Sequence, residues 1–133
     1  MILCPCGSGE PYEKCCGPFL GGKSQPATAE QLMRSRYTAY ARQNANYLVA
    51  STHPSKRERN ELKTIKKSFR GINWRSLEIL AIDKGGADDT EGTVEFKAHC
   101  EGGGQKATVH EISQFVRDDG HWFYLDGDVK QNG

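Results

Sequence analysis

Four cysteines near the start of the chain are the residues best placed to do chemistry. Cys4, Cys6, Cys15 and Cys16 follow the spacing C-x-C-x8-C-C. Four thiolates this close together can surround one tetrahedral ion, and zinc is the ion that four sulfur ligands suit. Disulfides fit less well. Cys4 to Cys6 and Cys15 to Cys16 would each close a strained ring, and the crosswise pairings belong to secreted mini-proteins. An iron–sulfur cluster has the right ligand count, but an adjacent Cys-Cys pair suits a compact zinc site better. Met1-Ile2-Leu3 ahead of Cys4 lacks the charged and apolar stretch of a secretion signal, and Cys100 is an odd fifth cysteine. Both features predict a reducing, cytoplasmic setting. Four thiolates leave no open coordination position, so one structural Zn2+ is expected, without chemistry of its own.

The residues between the ligands agree. Gly7-Ser8-Gly9 permits positive φ and can turn amide N–H groups toward sulfur, Lys14 can offset part of the negative charge, and Tyr12 and Phe19 can cover the metal. Cys4-Pro5-Cys6-Gly7-Ser8-Gly9 with Tyr12, Cys15 and Cys16 resembles the SEC-C motif, the zinc knuckle at the carboxyl end of the bacterial preprotein-translocase ATPase. That version closes with Cys-His; here Cys16 stands at the histidine position. Arg34 to Tyr40, Glu111 to Arg117 and Gly120 to Tyr124 are similar to the YchJ-like family of uncharacterised bacterial proteins. This resemblance implies a nuclear-transport-factor-2-like body, a curved cone that often encloses a pocket. The translocase resemblance suggests a protein partner: chaperone, ribosome or translocation machinery. Glu10, Pro11 and Glu13 depart from the motif, occupying positions that are often basic, which disfavours docking on an acidic surface.

With 133 residues, 36% hydrophobic and 26% charged, the chain can hold one modest core besides the knuckle. No apolar run reaches the roughly 18 residues of a membrane span. A net charge of +1 disfavours a dedicated nucleic-acid binder. The segment Lys56 to Arg75 is nevertheless basic, with Lys56, Arg57, Arg59, Lys63, Lys66, Lys67, Arg70 and Arg75 against Glu58 and Glu61. A solvated helix face is the expected meaning of such a run.

The elements that must position any site follow from spacing. Residues 1–20 form the knuckle, 21–28 a linker and 29–133 the body. Thr28 to Gln31 reads as a capping box, and Met33, Tyr37, Tyr40, Ala41 and Leu48 keep helical spacing, predicting a helix from Ala29 to Val49. Ser55 to Glu58 reads as a second capping box, before the apolar stripe Leu62, Ile65 and Phe69; Gly71 ends that helix. The period then changes to two. Leu77, Ile79 and Ala81 alternate, as do Val94, Phe96 and Ala98; Ala107 to Arg117 and Trp122 to Asp126 join through Asp119-Gly120. The expected class is therefore α+β, with helices packed on a four-stranded antiparallel meander.

That hairpin sorts its own residues. A two-residue turn pairs Phe115 with Tyr124 and Ser113 with Asp126, and puts Glu111, Ser113, Tyr124 and Asp126 on one face. His110 points the other way. Arg36 and Tyr40, one turn apart on the first helix, complete a candidate pocket, with Arg36 a natural partner for Glu111 or Asp126. His53, His99, His110 and His121 are not spaced as metal ligands. The leading function is a non-catalytic adaptor that meets a protein partner through the knuckle. A small-ligand pocket is the alternative. An isomerase- or dehydratase-type enzyme, with Glu111 as base and Tyr124 as donor, is the weakest reading.

Overall fold

The computed structural model describes residues 2–130; the predicted start of the knuckle at Met1 and end of the body at Gly133 lie outside them. A short 3-10 turn, Tyr12–Lys14, and helix α1, Gly17–Leu20, carry the second pair of cysteines. Helix α2, Ala29–Ala41, starts where Thr28 accepts a hydrogen bond from the Gln31 amide. It does not run on to Val49. Gln43 adopts φ 59°, and Asn44 caps a separate helix α3, Ala45–Ala50, by accepting from the Tyr47 amide. Apolar residues keep helical spacing across this break, so periodicity alone reads through it. Helix α4, Glu61–Ser68, begins later than its proposed capping box. The His53 ring caps the 3-10 turn Pro54–Lys56 instead. Most of the basic residues of this region face solvent.

Strands β1 (Asn73–Lys84), β2 (Glu91–Gly102), β3 (Gln105–Asp118) and β4 (His121–Lys130) form an antiparallel sheet in the order β1-β2-β3-β4. Val94, Phe96 and Ala98 are buried, as their alternation predicts. The β3–β4 turn opens on Asp119 and Gly120, with φ 53° and 81°. Two bulges in β1, at Arg75 and Leu80, break its period, so Ala81 joins the face opposite Leu77 and Ile79 and lies exposed. Helix α2 packs across the sheet, and the main core lies between them: Leu32, Met33, Tyr37, Val94, Phe96, Phe115 and Trp122. Cys4, Cys6 and Cys16 belong to this same core, so the knuckle is part of the body's packing.

Candidate functional site

Two constellations flank α2. On one side lie the cysteines, whose four sulfur atoms all fall within 4.8 Å of one another. Cys6 and Cys15 Sγ are 3.7 Å apart, and Cys15 and Cys16 Sγ 4.0 Å. A tetrahedron with Zn–S bonds of about 2.3 Å has edges of about 3.8 Å, so the cluster fits that ion. Gly7 and Gly9 take φ 81° and 86°, the conformation that lets the chain double back between the ligand pairs. Ser8 Oγ lies 3.2 Å from Cys15 Sγ, and Thr38 Oγ1 lies 3.6 Å from Cys4 Sγ.

Lys14 is exposed, and the nearest cation comes from α2 instead. Arg34 Nη1 donates to the Cys6 carbonyl at 2.9 Å and stands 4.0 Å from its sulfur, while Nε donates to Glu30 at 2.9 Å. Burial opposes the charge on Arg34, but its bonds to Glu30 and Cys6 together outweigh burial and raise its pKa. Tyr12 packs on the core beneath Arg42, whose guanidinium carbon is 4.3 Å from the ring centre. In the metal-free chain a hydrogen bond from the Cys16 thiol draws the Cys6 thiol down to about 4, with Ser8 adding to it against burial. The same bond, then burial, pushes Cys16 up. A metal ion bound here would have to displace the Cys16 proton.

On the other side of α2 is a cavity of about 290 Å3. Its walls are largely apolar: Met33, Tyr37, Trp74, Phe96, Ala98 and Val109. Arg36, Tyr40, Glu111, Ser113 and Tyr124 line it as well, so the structure brings five of the six pocket residues together. Asp126 is not among them. β4 carries one extra residue at Leu125, which shifts the register so that Asp126 opposes Gln114 and Gly127 opposes Ser113. The bulge turns Asp126 out to solvent. Gly127 takes its inward place, where a Cβ would come closer than 3.0 Å to Glu111 Oε2 and Tyr124 Oη. Spacing gave no sign of Gly127, because alternation cannot register an inserted residue.

The expected ion pair of Arg36 with Glu111 or Asp126 does not form. Nη1 of Arg36 donates to the Leu48 carbonyl at 3.0 Å, to Ser51 Oγ at 2.7 Å and to Thr52 Oγ1 at 3.2 Å. These acceptors close the C-terminal turn of α3, which is tied to β4 by Tyr124 N donating to the Ser51 carbonyl and His53 N to the Tyr124 carbonyl. Arg36 thus lies over the Tyr124 ring, 4.4 Å from its centre. Burial lowers its pKa, opposed by Tyr40, Tyr124, Tyr47 and Glu111. Glu111 accepts a hydrogen bond from Ser113 Oγ. Burial, then the Glu111 charge, pushes Tyr124 up to about 12.

The histidines stand away from both constellations. His110 Nε2 meets Glu95 at 2.6 Å and His99 Nε2 meets Glu78 at 2.6 Å on the outer face; His53 Nε2 meets Asp118 at 3.0 Å.

Comparison with known proteins agrees with both parts. Residues 2–18 match the SEC-C motif, and residues 28–127 match the family described as YchJ, middle NTF2-like domain. A UPF0225 protein of Geobacter sulfurreducens is 43% identical over 94% of this chain and 78% of its own length. One of Streptomyces coelicolor is 47% identical over 94% of each chain. The solution structure of RPA3114, a SEC-C motif containing protein from Rhodopseudomonas palustris, superposes with a TM-score of 0.88 at 34% identity, covering 98% of this chain and 100% of that one. A SEC-C motif containing protein from Psychrobacter arcticus gives 0.77 at 27% identity, covering 98% and 84%. An α+β body of the NTF2-like kind, headed by a four-cysteine knuckle, places this chain in the YchJ-like, UPF0225 family.

Proposed function

We propose that the chain is a non-catalytic zinc-binding protein of the cytoplasm whose cavity holds a small ligand. The observation that carries this reading is Arg36: a buried cation on the cavity wall that touches no carboxylate among the described residues, beside polar groups set among aromatic rings. The zinc is structural, since four thiolates fill its coordination and three of them are buried in the body's core. A thermal-shift screen against metabolites tests the cavity. A compound should raise the melting temperature of the wild type and leave Glu111→Ala unmoved; equal shifts in both would sink the site as drawn.

A second reading, the adaptor, is favoured by the apolar side chains Ile2 and Leu3 on the knuckle, which are 74% and 60% exposed. They would meet a protein partner, with chaperone, ribosome and translocation machinery suggested by the motif alone. Pulldowns with wild type, Cys15→Ser and the double variant Ile2→Ser, Leu3→Ser test it. Identical partners from all three would rule out the knuckle as the contact.

A further inference from the structure

We infer that the cavity selects a neutral aromatic molecule carrying a hydrogen-bond donor beside an acceptor, as on the edge of a carboxamide or lactam; this rests on the small-ligand reading above. Size and shape come first. A volume of about 290 Å3 suits one or two rings. Tyr37 and Tyr40 approach Trp74 with ring centres 6.1 Å and 6.0 Å apart, inclined at 74° and 57°. Inclined rings of this kind present both faces and edges, which is how a flat aromatic guest is held.

Charge and hydrogen-bonding capacity then narrow the class. The polar end holds one guanidinium, Arg36, and one carboxylate, Glu111, and among the described residues these form no ion pair with each other. Their charges cancel, so an anionic guest would meet Glu111 and a cationic guest Arg36, each leaving an uncompensated buried charge. All three bonds of Arg36 use Nη1, so Nε and Nη2 have no partner among the described residues. Those nitrogens are donors only, and they ask for an acceptor. Glu111 is held by Ser113 on one oxygen and keeps acceptor capacity, which asks for a donor. An amide edge presents both at once: its carbonyl oxygen to Arg36 and its N–H to Glu111. The Tyr124 hydroxyl, next to Glu111, has no protein partner among the described residues and adds a third polar contact.

Four one-ring probes of nearly equal size separate the alternatives: benzamide, benzoate, benzamidinium and toluene. The chain has two methionines, and Met33 lines the cavity, so methyl-labelled methionine gives a direct reporter. The Met33 signal is assigned by its loss in Met33→Leu. With the zinc-loaded chain, benzamide is expected to shift that signal saturably, binding at least tenfold more tightly than the other three. Glu111→Gln leaves Arg36 uncompensated and should invert the order of benzamide and benzoate. Unchanged zinc content and cooperative unfolding of that variant verify that it is folded. Benzoate, benzamidinium or toluene binding wild type as tightly as benzamide overturns the ligand class and leaves a small-ligand site standing. An unchanged order of benzamide and benzoate in Glu111→Gln also overturns the class. No response to any of the four up to their solubility overturns the class and the ligand reading together.

Discussion

Helix α2 separates two regions that handle charge in opposite ways, and two arginines two residues apart mark the difference. Arg34 serves the knuckle: it has an acid in Glu30, a carbonyl in Cys6 and a sulfur nearby. Arg36 serves the cavity: hydroxyls and a carbonyl hold it, an aromatic ring lies beneath it, and no acid among the described residues touches it. The same residue type is thus paired with an acid in one place and left, among the described residues, without one in the other. A region whose polar groups are all answered from within the chain builds structure, whereas one with unanswered groups is equipped to bind. The cysteine cluster, whose arginine is paired with an acid, is nearer the first kind and the cavity nearer the second.

The largest effect should come from breaking the knuckle. Metal binding to such a site contributes on the order of 10 kcal/mol, and Cys4, Cys6 and Cys16 sit in the body's own core. Chelation or Cys6→Ser should therefore lower the melting temperature of the whole chain by roughly 10 °C or more. Native mass spectrometry before and after chelation should show one metal ion lost per chain. A body that melts unchanged without the ion would show the knuckle to be an appendage and erase the contrast.

The arginines come next and should fail differently. Arg36→Met strips three hydrogen bonds and a ring contact from the α2–α3–β4 junction, costing about 2–4 kcal/mol in urea unfolding. Metal affinity should stay as it is. Arg34→Met should do the reverse, weakening zinc affinity about 10- to 100-fold in a competitive chelator titration, with a small loss of stability in the loaded protein. If both variants lost metal equally, α2 would not separate two sites.

Gly127→Ala tests the cavity wall with a single methyl group. Its Cβ would crowd both Glu111 Oε2 and Tyr124 Oη, so both must move, at a cost of about 1–3 kcal/mol. Ligand-induced thermal shifts should fall while zinc content holds. Preserved ligand shifts would mean that the polar end of the cavity tolerates rearrangement.

The two regions were not equally legible. The cysteines could be read from spacing because ligand geometry is local: four sulfurs in a short segment have few other uses. Strands β2 and β3 could be read because one buried face imposes a strict period of two, as at Val94, Phe96 and Ala98. The period failed wherever an extra residue entered. Leu80 displaced Ala81 and Leu125 displaced Asp126, since alternation fixes faces only as long as the count holds. Helix spacing failed at Gln43 for a related reason, as one left-handed residue changes direction without disturbing the apolar pattern. Arg34 and Thr38 as neighbours of the cysteines were out of reach. Arg34 lies 28 residues from Cys6, and Thr38 lies 34 from Cys4, so only tertiary packing brings them together.

The smallest effect lies in the alkaline titration of Tyr37 and Tyr124, which both line the cavity but feel different charges. Both are raised from 10.0 to about 12, with burial the largest cause. For Tyr124 the next contribution is the charge on Glu111; for Tyr37 it is Cys100 and then Cys6. The sign follows from proton counting. Between pH 10 and 12 the unfolded chain has released protons that the folded chain retains, so rising pH favours unfolding. Stability is fully present below pH 10 and declines through that window, as urea midpoints of the zinc-loaded protein would record. Removing the Glu111 charge in Glu111→Gln should then bring Tyr124 partway back toward 10 in a tyrosinate absorbance titration. Tyr37, whose other influences are the Cys100 and Cys6 sulfurs, should keep its place. A common shift of both tyrosines would mean that the Glu111 charge acts across the whole cavity and that the influence of Cys6 on Tyr37 does not set the two tyrosines apart.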